Sequence, residues 1–275
     1  MKHTNTEGYF FIGLGTRYIE ECYNLALTIK KQKDYRPIAI MVNEADLDFA
    51  KSKNVFDIFI NFKIFDDNIR CLCHNYFEKN CLYPRLYLPE YTPFDETIIV
   101  DSDVLCQYSP NKIWNYVKNK NFPVQMVGYK DDPSWQSGNI HKVSEAFGKH
   151  VPCVHGGFFY INKKDDKTKD FFDYVKNLIF RYDEFKCPRG YPNFMVDEIL
   201  FAITHAHFEI SPIEFDEFPI MTFNYDDKIE IPSTLQTYGK NNTSTYLNSP
   251  IPFIHMFDKL HGQNYNYILN KILNY

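Results

Sequence analysis

Between Tyr9 and Val100 short apolar runs alternate with stretches whose apolar residues recur at helical spacing, and this alternation limits the chain to a small set of folds. Tyr9 to Leu14 reads as a buried strand running into a loop at Gly13-Leu14-Gly15, and Ile19 to Lys31 reads as the helix that follows. Pro37 to Val42 and Phe56 to Phe62 read as two further strands, with a helix over Leu47 to Lys53 between them. A helix around Leu82 to Leu88 carries Pro84, which a first helical turn tolerates. Thr97-Ile98-Ile99-Val100 makes a fourth buried strand that stops abruptly at Asp101-Ser102-Asp103. Such alternation builds a mostly parallel central sheet flanked by helices, an α/β fold whose ligands bind beyond the carboxyl ends of the strands.

The second half has a different character. Strands are expected at Gln125 to Gly128, Gly157 to Ile161 and Phe253 to His255, and helices at Phe171 to Phe180 and Phe194 to Thr204. Internal repeats and low-complexity linkers are absent, so residues 1–275 are expected to form a single domain. Residues 1–105 would be its nucleotide-binding half and residues 106–275 its acceptor-side half.

Composition removes several function classes. The chain has 275 residues, 44% of them hydrophobic, enough for one large core. A net charge of −5 argues against a partner held through nucleic-acid phosphates. The 25 Phe and 21 Tyr residues fill a core first, although the same rings stack on sugars and bases, with Trp114 and Trp135 as further platforms. Seven cysteines without a metal or redox spacing read as free thiols. No apolar run approaches the roughly 20 residues of a membrane span, and Tyr9 to Leu14 is too short for a signal peptide. The expectation is a soluble cytoplasmic protein with no transmembrane segment, in which Asn241 and Asn242 carry no glycan. Aromatic residues in the tail leave a homodimer and a membrane-surface acceptor both open.

Chemistry concentrates on a few positions. Asp101 and Asp103 end a buried strand and precede Val104-Leu105, where carboxylates are costly unless they meet a cation or hydrogen-bond donors. Two hard oxygen ligands at a strand end suit Mn²⁺ or Mg²⁺; a hydrogen-bonded strand end is the structural alternative. The similar pair Asp46-Leu47-Asp48 begins a helix, where an N-cap and the helix dipole account for it. His255 is a candidate third ligand, with His261 as its competitor. Arg85 offers a planar fork to a diphosphate, or is a solvated helix residue. His155-Gly156-Gly157 is either a plain turn or a place where backbone approaches a ligand. Asp197-Glu198 is either a pair favoured by a helix dipole or a pair of carboxylates facing a site.

The order of these motifs resembles glycosyltransferase family 8, the group of glycogenin and the bacterial lipopolysaccharide glycosyltransferases. The resemblance rests on Gly13-Leu14-Gly15-Thr16-Arg17-Tyr18, on Arg85-Leu86 ahead of Ile98-Ile99-Val100-Asp101-Ser102-Asp103, on His155-Gly156-Gly157, on Asp197-Glu198, and on His255 followed by Lys259 and Gly262. It implies a GT-A fold, a UDP-sugar donor, Mn²⁺ or Mg²⁺, and transfer with retention of configuration to a carbohydrate, lipid-linked or protein acceptor. Asp101, Asp103 and His255 would then hold the metal. Gly13, Thr16, Tyr18, Arg85, Ser102, Gly157, Lys259 and Gly262 would contact the donor, and Asp197 and Glu198 would serve catalysis. This chain departs from the family with His155 in place of asparagine, Glu198 in place of glutamine, and Phe257-Asp258 breaking the spacing after His255. Competing functions are a nucleotide-sugar hydrolase or nucleotidyltransferase, which needs no sugar acceptor, and a non-catalytic carbohydrate-binding protein, which would ignore UDP and metal.

Overall fold

The structure, a computed structural model, describes residues 7–73, 82–129, 140–187, 195–214, 217–224, 251–256 and 263–274. The chain opens with β1 (Glu7–Ile12), α1 (Thr16–Lys31), β2 (Ile38–Val42), α2 (Leu47–Ser52) and β3 (Ile58–Asn61). Next come α3 (Asp67–Cys73), α4 (Leu82–Leu86), α5 (Leu88–Tyr91), β4 (Glu96–Val100), β5 (Val104–Cys106) and α6 (Asn111–Lys118). The second half supplies β6 (Val124–Tyr129), α7 (Ile140–Phe147), β7 (Cys153–Asn162), α8 (Asp166–Ile179) and α9 (Asp197–His207). β8 (Ile213–Glu214), β9 (Met221–Asn224), β10 (Phe253–Met256) and α10 (Gln263–Asn274) close it.

Seven strands order as β3-β2-β1-β4-β7-β6-β8, and three more as β5-β10-β9. β1–β2, β2–β3 and β6–β8 pair in parallel, while β6–β7 is antiparallel, which makes the expected mostly parallel α/β sheet. β2 is buried along its whole length, as a strand covered on both faces must be. Backbone contacts divide the molecule into two compact units. One takes in Phe62–Ile98 and Asn121–Glu214, the other Glu7–Asn61, Ile99–Lys120 and Phe215–Tyr275.

In the second of these units, α1 starts at Gly15, whose φ of 105° only glycine adopts without strain, and ends on Lys30 and Lys31, which favour the helix dipole. A buried polar network ties this unit together. The Tyr9 hydroxyl donates to Asp34 at 2.8 Å and accepts from Trp114 Nε1 at 2.9 Å, and Arg36 pairs with Asp34. Trp114 is therefore core, fully buried, and not the sugar platform proposed from sequence; Trp135 lies outside the described residues. α10 packs through Tyr265 and Ile268 against Leu105, Ile254 and Met256.

In the first unit, α9 is buried on every side from Asp197 to Ala206, as a helix in the middle of a core must be. The pairing of β6 with β7 slips between Met126, opposite Phe159, and Val127, opposite His155. Gly156-Gly157-Phe158 are thus extra residues bulging from the strand. Of the two readings of His155-Gly156-Gly157, the plain turn is ruled out, because these residues form a bulge inside β7. Two other local expectations are corrected. The helix around Leu82 to Leu88 is split into α4 and α5 with Tyr87 between them, and Asp46 stands at the start of α2 without making a side-chain cap.

Candidate metal centre and a second polar cluster

Asp101, Asp103 and His255 come together. One ligand atom from each lies within 4.8 Å of the other two, with the carboxylates half-buried and the imidazole buried. His255 Nε2 lies 2.9 Å from Asp103 Oδ1. Donors about 2.1 Å from one ion sit about 3–4 Å apart, so small side-chain shifts bring all three onto a single cation. Two carboxylates this close repel one another, and a divalent ion between them relieves that repulsion. The donor set, two hard oxygens and one imidazole, fits Mn²⁺ or Mg²⁺.

The backbone explains why these three meet. β4 delivers Asp101, and a turn closed by Val104 N–H on the Asp101 carbonyl at 3.3 Å reverses the chain into β5. β10 runs antiparallel to β5 with His255 opposite Val104. Met256 N–H donates to the Asp103 carbonyl at 2.8 Å, which brings the residue after His255 onto the second aspartate. Farther along, the Gln107 N–H and side-chain amide bond Pro252 and Ile251 carbonyls, both at 2.8 Å.

A second cluster lies in the other unit and links α4, β7 and α9. Arg85 forms an ion pair with Asp197, both mostly buried. A β-carbon on Gly156 would come within 2.6 Å of Arg85 Nη1, so the bulge leaves room for the guanidinium only because this residue is glycine. Glu198 accepts the Gly156 N–H at 3.0 Å, and the Gly157 N–H donates to His155 Nδ1 at 2.9 Å. That bond places the imidazole proton on Nε2, which lies 3.9 Å from the Glu198 carboxylate.

No protein-family model matches the sequence, and no curated protein does. Solved structures do match in shape. Mouse xyloside xylosyltransferase 1 in its apo form superposes with a TM-score of 0.62 at 8% identity, over 91% of this chain and 97% of that one. The galactosyltransferase LgtC, in complex with donor and acceptor sugar analogues, superposes with a TM-score of 0.60 at 14% identity, over 97% and 96%. The bifunctional glycosyltransferase WbbM gives 0.61 at 12% identity, over 93% of this chain and 46% of that one. This is the GT-A fold. The likeness is one of fold, since every identity is 14% or less.

Within this GT-A fold the residues singled out from sequence fall into three groups. Asp101, Asp103 and His255 form one cluster, and Arg85, Asp197, Glu198 and Gly157 belong to the other. Gly13, Thr16 and Tyr18 line the start of α1, where Thr16 is exposed and Tyr18 half-buried. Gly13 has a packing reason of its own, because a β-carbon there would sit 2.8 Å from Ile40 Cδ1. Lys259, His261 and Gly262 lie outside the described residues. Among the described residues no helix is long and apolar enough to cross a membrane.

Sequence reasoning missed Glu21, a buried carboxylate on α1 that accepts the Ser102 hydroxyl at 2.8 Å. A signal was present. Glu21, Asn24 and Thr28 recur at helical spacing among the buried residues of α1, a polar line on a face that should be apolar.

Proposed function

We propose that this chain is a metal-dependent glycosyltransferase of the family 8 type, moving a hexosyl group from a UDP-sugar to a hydroxyl acceptor with retention of configuration. The convergence of Asp101, Asp103 and His255 beyond the end of β4 carries the proposal. It sits where ligands bind in open α/β sheets, on a fold shared with sugar-transferring proteins. In this reading residues 1–275 act as one catalytic domain in the cytoplasm, alone or as a homodimer.

Asp101, Asp103 and His255 would hold Mn²⁺ or Mg²⁺. The ion would neutralise charge on the donor diphosphate as it leaves. A helix N-terminus favours an anion and that of α1 has no side-chain cap, so the loop through Gly13 and Thr16 suits the nucleotide, and the half-buried ring of Tyr18 suits the base. Arg85 and Asp197 pair beside Gly156, and Gly157 and Asp197 would face the donor sugar. Glu198 holds the bulge through the Gly156 N–H. Transfer would form the bond from the acceptor oxygen to the anomeric carbon and break the bond from that carbon to the diphosphate. The acceptor's proton would pass to the departing diphosphate oxygen on the same face, so no strong general base is required.

The test is calorimetric titration of UDP with and without Mn²⁺, on the wild type and on Asp101→Ala/Asp103→Ala, followed by a panel of UDP-sugars scored for slow hydrolysis. Binding that requires both the metal and the two aspartates is expected, and the sugar hydrolysed fastest identifies the donor. Failure to bind any nucleotide would remove the glycosyltransferase reading together with its residue roles.

A further inference from the structure

Glu21 is 1% exposed on α1 and holds two partners at once. One carboxylate oxygen accepts from Arg17 Nε at 3.2 Å and the other from the Ser102 hydroxyl at 2.8 Å. A buried carboxylate is unfavourable unless its charge and lone pairs are met. Arg17, one helical turn earlier, meets the charge, and Ser102 supplies the remaining hydrogen bond. Ser102 is the middle residue of Asp101-Ser102-Asp103, so its side chain reaches to α1 while those of its two neighbours converge with His255.

The same helix grips this segment a second time. Cys106 N–H donates to Thr28 Oγ1 at 3.0 Å. Glu21 and Thr28 are two helical turns apart, about 10.5 Å of rise. The step from Ser102 to Cys106 spans at most about 13 Å when extended, so helix and segment run side by side with matched anchors. β10 holds the segment as well, through the Met256 N–H bond to the Asp103 carbonyl at 2.8 Å.

We propose that Glu21 is a positioning residue for the metal pair. Through Ser102 it fixes the turn on which Asp101 and Asp103 stand, so that two mutually repelling carboxylates are already assembled when the ion arrives. The inference rests on the metal reading of Asp101, Asp103 and His255. Without the anchor the turn relaxes and the carboxylates separate, and the ion must reassemble its own site. Groups that orient metal ligands from behind affect affinity in this way, commonly by 10- to 100-fold. Glu21 contributes no ligand atom to the cluster itself.

The experiment measures Mn²⁺ affinity of the full chain without nucleotide, reading the free ion by electron paramagnetic resonance. The proteins are the wild type, Ser102→Ala, Ser102→Thr, Glu21→Met and the double variant Ser102→Ala/Glu21→Met, each with its thermal midpoint recorded. Met fills similar space to Glu, carries no charge and offers the Ser102 hydroxyl only a weak thioether acceptor. Ser102→Ala and Glu21→Met are each expected to weaken Mn²⁺ about tenfold. The double variant should be no weaker than the weaker single, because both substitutions break one link. Ser102→Thr, which keeps the hydroxyl, should bind as the wild type does. Wild-type affinity in Ser102→Ala, or losses that add in the double variant, overturns the positioning role and leaves the metal site standing. No Mn²⁺ binding by the wild type overturns the metal reading, and this inference with it. Should Glu21→Met not fold, Ser102→Ala against Ser102→Thr decides alone.

Discussion

Gly15 has φ 105° and ψ 149°, a conformation open essentially to glycine alone, while the space around it is empty enough for a side chain: a β-carbon would meet only Tyr18 Cδ2, at 3.8 Å. The penalty for Gly15→Ala is therefore one of backbone conformation, and the unfolding free energy should fall by about 1–3 kcal/mol in guanidinium titrations. A loss within about 0.5 kcal/mol, the range of ordinary surface substitutions, would mean that the loop tolerates another path. At this scale the sequence was legible where chemistry dictated residue type. Asp101 and Asp103 stood out because carboxylates ending a buried strand are costly without a cation or donors, and the structure brings them together with the candidate His255. His155 and Glu198, noted as departures from the family pattern, turn out to share one network, in which each occupies an N–H of the bulge. That pairing was invisible in the sequence, since a three-residue bulge depends on how β7 registers against β6 and leaves no local mark. Ser102, expected from sequence to touch the donor, also donates its hydroxyl to Glu21, a link that sequence alone did not show.

At the scale of elements, α9 places a titratable group where water does not reach. His205 is 0% exposed, with Nδ1 2.9 Å from the Phe201 carbonyl and Nε2 without a partner among the described residues. Phe171 stands edge-on to its ring, 5.4 Å away. Burial pushes its pKa down to about 4 and outweighs the bond to the Phe201 carbonyl, which pulls the other way. The folded state thus refuses a proton that the unfolded chain accepts below about pH 6.5. The stability associated with neutral His205 is full above pH 6.5 and is lost as pH falls toward 4, by about 3 kcal/mol in all. Urea unfolding at pH 7, 6, 5 and 4 should show a slope across this range that His205→Leu flattens by about one proton. Parallel slopes in the two proteins would exclude the assignment. Most of the sheet was legible at this scale, because strands covered on both faces must be apolar runs, as Ile38–Val42 and Ile98–Val100 are. α10 was not among the expected helices, although Tyr265, Ile268, Leu269 and Ile272 recur at helical spacing. β5 and β8 span three and two residues, too short for any period to register.

For the whole molecule, the division into units could not be read from composition, because the chain leaves the unit containing Glu7–Asn61 and returns to it at Ile99 and again at Phe215. No linker marks those crossings, so local sequence carries no boundary signal. The consequence for stability is testable. Asp101, Asp103 and His255 all belong to this one unit, although they are drawn from the two segments of chain that return to it. A cation bound there joins separate stretches of chain in the folded state, and the unfolded chain cannot offer the same three atoms. Mn²⁺ at about 100 times its dissociation constant should then add about 2.7 kcal/mol to the unfolding free energy. For a chain of this size that corresponds to a rise of roughly 5–10 °C in thermal midpoint. Calorimetry with Mn²⁺, with Mg²⁺ and with chelator, on the wild type and on Asp101→Asn/Asp103→Asn, measures it. The double variant should lose the metal-dependent rise. In chelator it should melt at or above the wild-type midpoint, because one source of carboxylate repulsion is gone. A wild-type midpoint indifferent to both metals would mean that the two aspartates are strand-end carboxylates held by hydrogen bonds, as the structural alternative from the sequence had it.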